Sequence, residues 1–436
     1  MFSVLFIHEK MIKNISFLSL FLLTASAFAF DKQLTVSVSN TLPSPRADEM
    51  IELDMNAVAA KLGQAKTVIV RDADQREIPS QITYDGKLIF QVSVPAKGTS
   101  KYYVTEGIPA IYEAKVFGRM YPERVDDIAW ENDKIAFRTY GPALQRNNER
   151  AFGYDVWNKR TSRLILDERY ALETDKEIRS TCSRLKAAGF GELSSDVYFA
   201  ISSYHTDHGT GQDCYKVGPT LGCGTSALME NGGKDIVYPY CWKEYEILDK
   251  GPLRFTVKLT YNAEKVDGQE VVETRIISLD AGSHLNKATI SYSGLTTSTP
   301  IATGIVVHEE NPTAFVLNPQ NGYMAYEDLG DSKQYPEKYR PMYNKDFGKI
   351  YTGVVYPTKV NSIKYVEFTA EDKPNRGGAL GHILGVSTFK PNTSYTYYFG
   401  SGWSRNPETN FSSLADWENY LSQEAKKIKT PLKVKF

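Results

Sequence analysis

Beyond residue 29 this sequence has no apolar run long enough to cross a bilayer, which excludes a helical membrane span for the chain that remains once its leader is removed. Neither sign of charge is in excess: 51 Lys and Arg stand against 52 Asp and Glu, and the formal net charge is −1. That balance, with no basic tract, argues against nucleic acid and against adhesion to anionic lipid. There is no internal repeat, low-complexity segment or long charge run. Cysteine and histidine are scarce, four and six among 436 residues, so any place where they gather stands out.

They gather between Tyr204 and Gly224. His205, Asp207, His208, Asp213, Cys214, Tyr215 and Cys223 lie there among glycines. Glycine permits positive φ and close approach of a ligand to the main chain, so the stretch reads as a functional loop. The bland reading, a cross-linked surface loop with incidental histidines, stands beside it.

The chain opens with Lys10 and Lys13 before an apolar run at 15–28 that ends Ala27-Phe28-Ala29. Basic flank, short apolar centre and small-residue cleavage site make a secretory signal peptide, 1–29, and Met11 is a plausible start. The mature protein is therefore expected in the periplasm or secreted. Export places Cys182, Cys214, Cys223 and Cys241 in an oxidising compartment, where two disulfides in any of three pairings are expected. The competing use of Cys214 or Cys223 is a divalent metal such as zinc, held with His205 and His208.

From 33 to 107, short alternating segments separated by Asn, Pro or Gly turns predict a small β-sandwich, assigned to 30–112. Asp85-Gly86 is a strong hairpin signal within it. The strands lengthen beyond 113, with a hairpin at Asp267-Gly268, and the one clear helix is at 414–427 with Trp417, Tyr420 and Leu421 on one face. The fold class is all-β, with large antiparallel sheets packed face to face across 113–436.

Residues 118–142, the stretch from His205, Tyr238-Pro-Tyr-Cys-Trp242 and Gly251-Pro-Leu-Arg-Phe255 together resemble a family long described only as a domain of unknown function. It occurs among exported proteins of bacterial polysaccharide-degradation loci and includes the oligosaccharide dehydratases of ulvan breakdown. The resemblance covers nearly all of 34–420. It implies a supersandwich core like that of galactose mutarotase, and an acidic oligosaccharide as partner. It implies loss of water from a non-reducing-end uronic acid, giving a 4,5-unsaturated uronate.

That reaction needs a group to neutralise the carboxylate as its enolate forms, a base for the C5 proton and an acid for the departing 4-hydroxyl. Arg119, Arg124 and Arg138 are candidates for the clamp because guanidinium offers a planar two-donor fork. His205, His208 and Tyr215 are acid/base candidates, Tyr215 as a tyrosinate beside cations, with His308 behind them. His284 reads as structural, and His382 borders a glycine-rich loop. A glycoside hydrolase would instead use a carboxylate pair from Glu123, Asp126, Asp127, Glu131 and Asp133, whose bland alternative is pairing with the nearby arginines. A polysaccharide lyase would use the dehydratase groups with a sugar as leaving group. A non-catalytic carbohydrate-binding protein would show an aromatic platform, with Trp403 and Tyr398 as its candidates.

Overall fold

The structure is a computed structural model that describes residues 32–147, 149–330, 347–409 and 411–436; the signal segment lies outside them. Among the described residues no helix is long and apolar enough to cross a membrane.

The N-terminal sandwich forms from strands whose buried positions alternate. Val36 and Val38 of Gln33–Ser39, Ile51 and Leu53 of Arg46–Asp54, and Phe90 of Lys87–Val94 meet in one core. Period-2 burial of this kind fixes register, because a one-residue slip would turn the apolar set to solvent. Arg46–Asp54, Lys87–Val94 and Ser80–Ile82 make a three-stranded sheet. The opposing sheet runs in the order Lys433–Lys435, Gln33–Ser39, Thr99–Glu106, Val68–Arg71, Glu77–Ile78. Its outermost strand comes from the far end of the chain, so residues beyond 430 leave the large sheets and complete the first sandwich. Arg46 anchors that return: it is buried, ion-paired with Glu49, and donates to the Thr430 carbonyl at 2.7 Å. Three residues with one inward side chain gave no alternation long enough to read.

The rest of the chain builds three antiparallel sheets around a second, larger core. Eight strands run in the order Trp242–Lys250, Arg254–Val266, Gln269–Asp280, Leu285–Ser293, Tyr395–Trp403, Lys349–Val355, Tyr323–Leu329, Phe315–Asn318. The hairpin at Asp267-Gly268 closes as its sequence demands, with φ +46° and +80° and Val266 opposite Gln269. A second sheet of five strands contains Cys223–Glu230 and Thr299–His308. A third contains Val116–Tyr121, Asp127–Asn132, Ala136–Thr139, Asp155–Lys159 and Gly211–Gln212. All-β sandwich architecture is what the strand pattern predicted.

The third sheet departs from that pattern in one respect that positions the site. Every residue of Asp127–Asn132, Ala136–Thr139 and Asp155–Lys159 is buried, charged ones included. One face packs on the large core. The other is covered by helix Leu166–Glu173, whose Leu166 and Tyr170 pack with Ala129, Ala136 and Trp157; Lys176–Ala187 and Gly191–Val197 follow and pack on each other, and the sequence reading anticipated none of the three. Lys176–Ala187 buries no residue fully: its stripe of Ile178, Cys182 and Leu185 is only half-covered, and Asp175 caps it by accepting from the Ile178 amide at 2.8 Å.

The C-terminal helix, Leu414–Lys429, buries Trp417, Leu421 and Ala425 at four-residue spacing against the outer face of the eight-stranded sheet. The expected disulfides are not formed: all four cysteines are free, with Cys214, Cys223 and Cys241 buried. A reducing agent is therefore expected to leave the thermal unfolding midpoint unchanged, whereas a lost disulfide would remove about 2–4 kcal/mol. Thiol titration in denaturant, with and without prior reduction, checks this by giving the same count both times.

Candidate functional site

The loop after the helical cover is tied to the third sheet at both ends. The Asp213 amide donates to the Tyr204 carbonyl at 3.0 Å, and Asp207 Oδ1 accepts from the Gly209 and Gly211 amides at 2.8 and 3.1 Å. Gly211 has φ +116°, and a Cβ there would lie 2.0 Å from the Asn158 carbonyl oxygen, so only glycine brings the loop back onto strand Asp155–Lys159. The glycines read from the sequence thus let the loop hug the sheet.

The loop and the sheet enclose a pocket of about 230 Å³ whose lining includes Arg124, Arg138, Tyr204, His205, Asp213 and Tyr215. His205 Nδ1 lies 2.9 Å from the Asp213 carbonyl oxygen. A carbonyl only accepts, so Nδ1 carries the proton in the neutral ring and Nε2 keeps a lone pair. Arg124 Nε donates to the Tyr204 hydroxyl at 3.0 Å, and no carboxylate among the described residues pairs with its guanidinium. With Nε held, the Nη1/Nη2 edge is left for an incoming anion. Arg124 closes the turn Pro122–Arg124, followed by Val125 and Asp126 at φ +44° and +61°. A β-branched residue at positive φ costs on the order of 1–3 kcal/mol, strain that packing around Arg124 sustains.

Arg138 lines the pocket but is not free to clamp a substrate, contrary to expectation. It is buried, bonded to Asp155 at 2.9 Å through Nε and to Asp213 at 2.7 Å, with Asp127 at 3.7 Å. Tyr140, which also lines the pocket, accepts from Arg138 at 2.9 Å and donates to Asp155. Three carboxylates share this buried guanidinium. Burial pushes Asp127 and Asp155 up to about 6, against the downward pull of Arg138. A carboxyl whose folded pKa is raised contributes stability below its unfolded value near 3.8, and that contribution is lost as pH rises through 6. Asp127→Asn removes the cost of ionising Asp127 while its carbonyl can still accept from Tyr170, which bonds Asp127 at 3.1 Å. The variant is expected to match the parent at pH 4 and to exceed it at pH 8 by on the order of 1–3 kcal/mol. Denaturant unfolding at the two pH values checks this.

The other candidates fall in different places. Arg119 lies outside the pocket, held by Glu123 at 2.7 Å and Asp167 at 2.6 Å over the Tyr121 ring, so its charge is already matched. His208 is exposed, absent from the lining, and its Nε2 meets the Ser203 carbonyl at 3.0 Å. Tyr215 is buried with its hydroxyl unpartnered, and burial holds its phenol well above 10. Burial therefore favours the protonated phenol over the expected tyrosinate. His308 is buried behind Tyr215, ring centroids 6.3 Å apart, and bonds Asp328 at 2.9 Å. Burial lowers its affinity for a proton, but the Asp328 charge and hydrogen bond outweigh that and raise it above 6.5. Trp403 is 1% exposed, with Nε1 donating to the Phe347 carbonyl, so it is a core residue with no face for a sugar.

The carboxylates of 123–133 do not line the pocket either. Glu131 is buried on Lys159, and Asp133 accepts from the Gly282 amide at 2.6 Å. Among the described residues no group of three or more His, Cys, Asp or Glu is arranged to hold a metal ion. Burial raises the Cys214 and Cys223 thiols far above neutral pH, which keeps them from serving as thiolate ligands. Sequence reasoning missed Tyr140, Asp155 and Lys216 of this neighbourhood; Tyr140 lay within the motif at 118–142, and Lys216 directly follows Tyr215.

A family profile described as "Domain of unknown function (DUF4861)" matches residues 38–434. The chain belongs to that family. It is 27% identical over 418 residues to "Uncharacterized protein P7" of Formosa agariphila, covering 92% of each chain. Among solved structures, an α-mannosidase from Enterococcus faecalis V583 matches with a TM-score of 0.46 at 8% identity. A glycosyl hydrolase family 38 protein from Enterococcus faecalis matches with a TM-score of 0.47 at 9% identity. The match covers 93% of this DUF4861 chain in both cases, and the chain spans about half the length of those two proteins, 46% and 47%.

Proposed function

We propose that this protein is a carbohydrate-active carbon–oxygen lyase that removes water from a non-reducing-end uronic acid of an acidic oligosaccharide such as ulvan. The observation that carries the reading is the pairing, in one pocket, of an arginine edge with no protein carboxylate on it and a histidine whose Nε2 lone pair is fixed. In this reading Arg124 takes the uronate carboxylate bidentately and neutralises the enolate as it forms. His205 Nε2 removes the C5 proton. The C4–O bond then breaks, the Tyr215 hydroxyl protonates the departing oxygen to give water, and the electron pair closes the C4–C5 double bond. Proton return from His205 to Tyr215 through the departing water resets the site. Tyr204 acts on the reaction only by holding Arg124.

The acid-ended substrate also suits the charge of the lining, where Lys216 and Arg150 accompany Arg124. A glycosidase reading has less support, since its carboxylates are committed elsewhere.

The test is incubation with uronate-ended oligosaccharides and their neutral-ended counterparts. Expected is a new unsaturated chromophore with mass loss of one water and no new reducing end, from the acidic set alone. Arg124→Ala is expected to lower kcat/KM about 100-fold through loss of the bidentate clamp. New reducing ends without loss of water, or an unchanged Arg124→Ala variant, would overturn the reading.

A further inference from the structure

A larger cavity lies elsewhere among the described residues. A cleft of about 440 Å³ opens where strand Arg46–Asp54 of the N-terminal sandwich faces the outer side of the eight-stranded sheet, beside the C-terminal helix. It shares no lining residue with the first pocket. Its size is that of a small-ligand site. Its walls are braced across the gap. Gln91 Nε2 donates to the Asp48 carbonyl at 3.1 Å and to the Ala281 carbonyl at 3.0 Å, and Arg254 bridges Glu52 and Asp280, each at 2.6 Å.

The chemistry of these walls differs from that of the first pocket. Most of the charges on them are matched: Arg254 by Glu52 and Asp280, Glu49 by Arg46, and Lys427 by Glu424 at 2.6 Å, leaving Asp48 and Lys287 outside these ion pairs. A lining of matched charges with a slight acidic surplus gives a polyanion no net attraction, yet offers both acceptors and donors to hydroxyl groups. The sheet supplies an aromatic wall. Tyr398 stands opposite Lys287 in the register, its ring packed on the cluster of Leu285 and Trp417. Its hydroxyl has no partner among the described residues, and burial holds its proton on. A tyrosine ring beside paired carboxylates and an ammonium can receive a sugar through contact with its apolar face and hydrogen bonds to its hydroxyls together.

We propose that this cleft is a second binding site, for an uncharged oligosaccharide, separate from the site of chemistry. The sandwich and the great sheet together then form a carbohydrate-holding unit. Neutral sugar residues sit between them while the acidic end of a chain is handled elsewhere.

The test is titration of the full mature chain with cello-, xylo- and mannohexaose and with hexasaccharides of uronic acid, followed by calorimetry. Expected is saturable binding of at least one neutral hexasaccharide that Tyr398→Ala weakens about tenfold, the size of one lost aromatic contact. Ser278→Trp, which fills the cleft from strand Gln269–Asp280, is expected to abolish it. Both variants should keep the parent's rate of chromophore formation on uronate-ended substrate, so failure of this inference and failure of the proposed reaction are read by different signals. Tyr398→Phe, which keeps the ring, guards against a folding artefact and should bind nearly as the parent does. Absence of binding by every neutral hexasaccharide, binding of the uronate set alone, or equal affinity in parent and Ser278→Trp would overturn the proposal.

Discussion

His205→Ala is expected to lower kcat for formation of the unsaturated uronate by roughly 10²–10⁴-fold, the range that one positioned acid/base group supplies. KM should change little, because Arg124, not His205, takes the substrate carboxylate in the proposed reaction. The fold should survive, since the His205 ring is only partly buried and its single bond is to a main-chain carbonyl. His208→Ala is the internal control: it lies three residues away in the same loop but is exposed and absent from the pocket lining, and its rate should stay within about twofold of the parent. Steady-state kinetics on the two variants, with thermal melts alongside, decides the matter. Equal losses at both positions would mean that the loop acts through its shape, and the base would have to be sought elsewhere.

The same pair of histidines shows how far the sequence could be read. Their density marked the right loop because glycine, histidine and aspartate together are rare in a strand-rich chain. Which of the two faces the pocket depends on the turn at Asp207, where the side chain captures the Gly209 and Gly211 amides and leaves His208 outside. That is a three-dimensional fact with no one-dimensional trace. The arginines follow the same rule. Arg119, Arg124 and Arg138 are alike in the sequence, but the Glu123 and Asp167 carboxylates take the first, and three buried aspartates take the third. Only Arg124 is left unpaired with a protein carboxylate, since its nearest bonded partner is a phenol. Strands and hairpins were legible because burial alternates along them and Asp-Gly turns close them. The helices beside the third sheet were not, because they are short and the longest, Lys176–Ala187, carries only the half-buried stripe Ile178, Cys182 and Leu185 among charged and polar residues. Once helix Leu166–Glu173 is in place, both faces of strand Asp127–Asn132 are buried, and carboxylates that the sequence offered as a glycosidase pair or as arginine partners become an internal network.

Glu131 tests that conversion most sharply. It is fully buried, accepts from Lys159 Nζ at 2.6 Å, and its other oxygen takes the Ile165 and Leu166 amides at 2.7 and 2.8 Å, where helix Leu166–Glu173 begins. Lys159 is equally buried, and among the described residues its ammonium's only other bonded partner is the Asn132 carbonyl at 2.6 Å. Burial lowers Lys159 and raises Glu131 from their ordinary values, while each holds the other charged. Glu131→Gln leaves the ammonium without a counter-ion in a dry site and is expected to cost about 3–5 kcal/mol, measured by denaturant unfolding. A catalytic carboxylate and a structural one both predict lost activity for this single variant, so the pair must be changed together. Glu131→Gln with Lys159→Met keeps an oxygen for the Ile165 and Leu166 amides and removes the ammonium that Glu131→Gln alone leaves unpaired. If Glu131 serves only to tie the helical cover to the sheet, the double variant should regain both the stability and most of the activity lost in Glu131→Gln. A double variant that is stable and inactive would return Glu131 to the chemistry and revive the glycosidase reading.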